Sequence, residues 1–130
     1  MVILGIDPGY AIVGWGVLEY QGNRFTIRGY GAITTPAGMD FPRRLQMIYE
    51  DMNTVLQKYR PDVLSIEKLY FTNNKTTGID VAQARGVILL AATMHGLKVH
   101  EYTPMRNVNR GIAYSVLRMA SNLRRISIIW

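Results

Sequence analysis

Asp7 ends the apolar run Val2-Ile3-Leu4-Gly5-Ile6 and opens the turn Asp7-Pro8-Gly9. Glu67 ends a second run of the same kind, Asp62-Val63-Leu64-Ser65-Ile66. Short apolar runs bounded by turn residues read as buried strands. If the two strands are neighbours in one sheet, both carboxylates meet at its edge, where a divalent cation can bridge them. Oxygen ligands with no nearby His or Cys select Mg2+ or Mn2+ over zinc. The chemistry expected of such a pair is metal-dependent phosphodiester hydrolysis. Two-metal sites generally draw on three or four acids, and no Asp or Glu follows Glu101.

Each residue also has a plainer reading. An Asp after a strand is a turn residue whose carboxylate accepts hydrogen bonds from the amides that follow it. For Glu67 the plain reading is costlier, because a carboxylate closing a buried strand loses hydration unless something compensates it. Lys68 projects to the opposite face of the strand and compensates poorly. Tyr70 and Phe71 lie in a polar stretch with Asn73, Asn74 and Lys75; exposed, they suit stacking on nucleic-acid bases, and tucked inward they are core. Arg85 stands in an apolar helix, either meeting a carboxylate across a subunit contact or a phosphate, or snorkelling to water. His95 precedes Gly96 and suits a helix C-terminus, and His100 reads as a surface strand residue.

The elements that must position these groups follow from periodicity. Val2–Asp7 is a short buried strand. Ile12–Tyr20 and Arg24–Ile33 are two more, joined by the turn residues Gln21-Gly22-Asn23. Gly14, Gly16, Gly29 and Gly31 inside these runs mark bulges or close backbone approach. Asp40 is positioned to cap a helix with Pro42 in its first turn. Leu45, Ile48, Tyr49, Met52, Leu56 and Tyr59 then recur at helical spacing, which predicts an amphipathic helix over Pro42–Tyr59 stopped by Pro61. Asp62–Glu67 is a parallel-type strand, Leu69–Thr77 a polar loop, and Ile79–Met94 a helix ending at Gly96. That helix is apolar nearly all round, so two of its faces need cover: one by the core, the other by a partner subunit. Lys98–Tyr102 is a last strand. The order predicts an α/β fold in which an antiparallel meander adjoins parallel βαβ strands in one mixed sheet.

Composition narrows the function classes. A chain of 130 residues, 48% hydrophobic and 18% charged, is one ordinary domain. Having no cysteine excludes a disulfide scaffold, a thiolate zinc site and a thiol nucleophile, and fits a reducing compartment. The uncharged stretch Gly86–Leu97 is too short to span a bilayer. No basic segment precedes the first strand, so a cytoplasmic protein without a signal peptide is expected. The net charge of +6 is uneven: residues 1–101 contribute only +1, and Arg106, Arg110, Arg118, Arg124 and Arg125 supply the rest. A basic tail of this kind fits a polyanionic partner such as nucleic acid, or a solvated surface.

Four stretches in order are Leu4-Gly5-Ile6-Asp7-Pro8-Gly9, Ile66-Glu67-Lys68-Leu69-Tyr70-Phe71, Gln83-Ala84-Arg85-Gly86-Val87 and Glu101-Tyr102-Thr103-Pro104. Together they resemble the RuvC family of Holliday-junction resolvases, with order and spacing matching from Met1 to about Met105. The resemblance implies a ribonuclease-H-like fold with a mixed five-stranded sheet, a homodimer, and Mg2+-dependent nicking of four-way DNA junctions, Mn2+ being a possible substitute. It implies that Asp7 and Glu67 are catalytic metal ligands. Tyr70, Phe71 and Lys75 become DNA-binding residues, and Val81, Ala84, Arg85 and Ile88 become dimer-interface residues. A branch-migration complex is an implied partner. Past Met105 the family carries a lysine-containing helix, a glycine-rich turn and a helix with two further acids. Here the chain reads Arg106-Asn107-Val108-Asn109-Arg110-Gly111 and a basic, apolar tail to Trp130. The expected division is a resolvase domain over 1–105 and a divergent, helical tail over 106–130, from a truncated or frame-shifted reading of a resolvase gene.

Two rival classes stand beside the nuclease. One is a dimer that binds branched DNA without cutting it, because the C-terminal acids are missing. The other is a sugar-kinase or actin-like phosphotransferase, whose first phosphate loop also follows a strand with an Asp-x-Gly turn; neither its second loop nor its adenosine motif occurs here.

Overall fold

A computed structural model describes residues 1–22, 24–68 and 75–102, without the side chains of Lys75, Thr76, Thr77 and Tyr102. Alternating and continuous apolar runs form β1 (Val2–Asp7), β2 (Ile12–Gln21) and β3 (Arg24–Thr34), an antiparallel meander turned at Gly22 with φ +56°. Helix α1 (Phe41–Tyr59) follows, then β4 (Val63–Glu67), helix α2 (Lys75–Met94) and β5 (Lys98–Tyr102). The sheet order is β3-β2-β1-β4-β5, with β1, β4 and β5 mutually parallel neighbours. The expected mixed five-stranded sheet is therefore present, meander on one side and βαβ units on the other.

Both helices cover one face of the sheet. Leu4 and Ile6 of β1, Val13 and Val17 of β2, and Leu64 and Ile66 of β4 point to that face. They meet Ile48, Met52 and Leu56 of α1 and Ala84, Ile88 and Ala91 of α2 in one buried core. Because strand side chains alternate, Ile3, Gly5 and Asp7, and likewise Val63, Ser65 and Glu67, belong to the other face, where Ile3 and Leu18 form a small separate cluster. A register shift between Val17 and Leu18 bends the meander. Just past it Gly29 passes so close to the Tyr59 ring of α1 that a Cβ would collide with the phenol.

Two local expectations are corrected. Asp40 occupies the N-cap position of α1 with Pro42 in the first turn, but its side chain makes no capping bond. Helix α2 begins at Lys75 rather than Ile79; the four added residues are polar or glycine and carry no apolar period, so the pattern could not reveal them. Helix α1 ends at Tyr59 as expected; Arg60, in the left-handed region at φ +46°, closes its N–H on Leu56 O, and Pro61 follows. At its other end α2 stops as expected, at Gly96 with φ +79°.

Candidate active site

The position of Glu67 beside Asp7 is decided by the β1–β4 register. That register is fixed at the far end of the two strands. There the Asp62 carboxylate accepts the Val2 N–H at 2.8 Å, and the Asp62 N–H donates to Val2 O at 2.8 Å. From this clamp the pairs run Ile3 with Val63, Leu4 with Leu64, Gly5 with Ser65 and Ile6 with Ile66. The next step brings Asp7 level with Glu67 at the carboxyl ends of adjacent parallel strands, both on the face away from the helices. Adjacent strands are about 4.8 Å apart. On its other side Asp7 pairs with Gly14, which has no side chain to intrude.

The electrostatics agree with this proximity. Glu67 holds its proton above the ordinary value of 4.5, first because burial disfavours its charged form and second because the Asp7 charge lies close. Ser65, two residues back on the same side, is buried, and its Oγ has no hydrogen-bond partner among the described residues. Two half-buried carboxylates that repel each other are the donor set a hard divalent cation relieves, so these residues fit such an ion in type. Among the described residues, no group of three or more His, Cys, Asp or Glu gathers in one place.

The turn after Asp7 is buttressed from α1 by residues that the sequence alone did not single out. Thr35 Oγ1 donates to Tyr10 O at 2.6 Å, and the Thr35 N–H donates to Ala11 O at 2.9 Å. Arg44, buried in the first turns of α1, donates from Nε to Thr35 Oγ1 at 2.8 Å and lies over the Tyr10 ring at 5.0 Å. Phe41 completes the support edge-on to Tyr10. One signal was available: Arg44 falls four residues before Ile48 on the helix's buried stripe, where a charged residue needs a reason.

At the far edge of the pair, Arg85 of α2 meets its carboxylate within its own chain. Its Nη2 donates to Glu101 Oε1 of β5 at 2.6 Å, and its Nε donates to the Glu67 carbonyl at 3.2 Å. The other residues named from the sequence are distributed as follows. Ala84 and Ile88 are fully buried in the chain's own core, and Val81 is half-buried. The large exposed apolar side chains of α2 are Ile79, Leu90 and Met94, at 52%, 54% and 66% exposure. His95 joins the helices, its Nε2 lying 3.0 Å from Asn53 Oδ1, and His100 is exposed on the edge strand β5. Tyr70, Phe71, the Lys75 side chain and the tail over 106–130 lie outside the described residues. Among the described residues, no helix is long and apolar enough to cross a membrane.

The chain is similar to known proteins in sequence and in fold. The family model described as crossover junction endodeoxyribonuclease RuvC matches residues 3–117, continuing past the point near residue 105 where the motif spacing stops. A crossover junction endodeoxyribonuclease RuvC from Brevibacillus brevis is 54% identical over 106 residues, covering 82% of this chain and 64% of that protein. One from Alkaliphilus oremlandii is 47% identical over 112 residues, covering 86% of this chain and 68% of its own length. Among solved structures, T. thermophilus RuvC in complex with Holliday junction substrate superposes with a TM-score of 0.76 at 29% identity, covering 81% of this chain and 64% of that one. The chain thus spans about two thirds of the length of these relatives. With a family match over most of its length and relatives about half identical over the aligned four fifths of it, this chain belongs to the crossover junction endodeoxyribonuclease RuvC family.

Proposed function

We propose that the chain acts on four-way DNA junctions as a structure-specific endonuclease, with Asp7 and Glu67 as the ligands of a divalent cation, Mg2+ or in its place Mn2+. The observation that carries this reading is the register-matched pair of carboxylates at the ends of two parallel strands, in a chain of this family. When bound, the cation supplies positive charge to the scissile phosphate and makes an attacking water more acidic. Asp7 and Glu67 hold their oxygens on one face of the sheet, and the Tyr10–Thr35–Arg44 support keeps the Asp7 turn from yielding. Tyr70 and Phe71 follow Glu67 within a few residues and serve as base-stacking side chains, with Lys75 on phosphate.

Symmetric cleavage calls for two subunits. The exposed stripe of α2, Ile79, Leu90 and Met94 with Gln83 and Gly86 between them, supports a homodimer built on that helix face. Cytoplasmic action beside a branch-migration complex completes the proposal.

A synthetic four-way junction incubated with the purified chain and Mg2+ tests it. Paired symmetric nicks are expected, lost by at least a hundredfold in Asp7→Asn and Glu67→Gln while gel-shift binding persists. Variants that lose binding or folding instead would reduce the carboxylates to structural groups. A second reading, junction binding without cleavage, is favoured by one feature: the 130 residues contain no acid after Glu101, and among the described residues only two carboxylates meet at the site. Preference for four-way over linear duplex with no nicks in Mg2+ or Mn2+ would select it.

A further inference from the structure

Glu67 is the last residue of β4, so its main chain stands where the ladder ends. Its pairing with β1 runs only as far as Ile66, while on the β5 side it is paired with Tyr102, the last residue of that ladder. A strand end frays unless its free backbone groups are taken up. Here the Glu67 carbonyl accepts from Arg85 Nε at 3.2 Å, and the adjacent Nη2 of the same guanidinium grips Glu101 Oε1 at 2.6 Å. The two donors lie on one edge of a planar, rigid fork, and the Arg85 side chain is only 13% exposed. Glu101 pairs with Ile66 in the β4–β5 ladder, so the fork spans two neighbouring strands one residue from the point where Glu67 turns its carboxylate away.

The direction of grip matters. Ile66 and Glu101 face the helices, whereas the Glu67 side chain emerges on the other face. Arg85 therefore fastens the Glu67 backbone from behind and leaves the carboxylate facing Asp7. Its charge is met by Glu101, and the charge that acts on Glu67 is that of Asp7. A residue gripping only the main chain sets where the carboxyl oxygens stand without competing with a cation for them. Ligand positions must be held within roughly 0.5 Å for a site to bind well, and partners that orient ligands typically carry 10–100-fold in metal affinity.

We propose that Arg85 is a positioning residue for the metal-ligating Glu67, acting through the Glu67 carbonyl with Glu101 as its anchor. This rests on the reading of Asp7 and Glu67 as cation ligands. The test is Mn2+ binding by the full 130-residue chain, followed through loss of the free-ion electron paramagnetic resonance signal, with thermal melts of every variant. Arg85→Lys keeps a cation for Glu101 but has no second donor on a rigid edge. Arg85→Gln removes the charge, and Glu101→Gln keeps the acceptor oxygen.

The expected result is Mn2+ affinity about tenfold or more weaker in Arg85→Lys and Arg85→Gln, less affected in Glu101→Gln, with melting points close to wild type. Affinities within twofold of wild type in both Arg85 variants, while Asp7→Asn loses Mn2+, would overturn the positioning role and leave the carboxylate site standing. An Asp7→Asn variant that binds Mn2+ like wild type would overturn the site and the role of Arg85 together. Weaker binding that merely follows a lowered melting point would mark Arg85 as a general folding contact and also overturn the proposal.

Discussion

At the scale of single residues, Glu67 is the group among the described residues whose chemistry its surroundings change most clearly. Burial and Asp7 raise its pKa above 4.5 in the folded chain. In the window from about that value up to the raised one, the folded state keeps a proton that the unfolded chain has released. Stability therefore falls as pH rises through the window, and the full cost is present above it. Glu67→Gln should melt higher than wild type at neutral pH in the absence of divalent ions, with the gain shrinking below about pH 4.5. Melts at several pH values in the presence of a chelator measure this, and a gain independent of pH would remove the electrostatic account. Added Mg2+ should narrow the difference at neutral pH, since only the wild-type pair gains from a cation.

Elements place the pair, and each does so through a small number of polar contacts. The Asp62 clamp sets the β1–β4 register, and a slip of one residue would send Asp7 or Glu67 to the helix face. The Thr35–Arg44 contact ties α1 to the turn beyond Asp7. Thr35→Val keeps the shape of the side chain but removes the oxygen that accepts from the buried guanidinium and donates to Tyr10 O. Leaving a buried donor unpaired costs about 1–3 kcal/mol. Urea denaturation should register a loss of that size, and a change below about 0.5 kcal/mol would mean that another group or water takes up the Arg44 donors.

For the whole molecule, substitution can separate the core packing of α2 from the subunit contact proposed for its exposed stripe. Ile88 is fully buried against the sheet, whereas Leu90, two positions on, is 54% exposed on the far side. Ile88→Glu places a charge in the core and should unfold the chain. Leu90→Glu should leave the fold and melting point near wild type and weaken self-association by tenfold or more, about 1.4 kcal/mol per tenfold. Sedimentation velocity across concentrations measures the second effect; unchanged association would move the subunit contact off this stripe.

Much of this architecture was legible in the chain because its signals are local. Strands Val2–Asp7 and Lys98–Tyr102, the body of α1 and the end of α2 follow from apolar runs, a 3.6-residue period and the stop signals Pro61 and Gly96, and the two strand-terminal carboxylates stand out by type and position. Signals without a local period were missed: the polar first turn of α2 from Lys75, and the uncapped side chain of Asp40. The sequence also marked Ala84 and Ile88 as candidates for a subunit contact, because apolarity does not say which face of a helix the sheet claims. Their burial in the chain's own core, with Leu90 left outside, was decided by packing. The same holds for the polar contacts at the site. Arg44 meets Thr35 nine residues away, Arg85 meets Glu101 sixteen away, and Val2 meets Asp62 sixty away. Residue types and periods determined the strands, the helices and the identity of the two acids. Which residues hold those acids in register was settled only by the tertiary structure, because such contacts depend on where the chain returns in space and leave no repeating pattern along it.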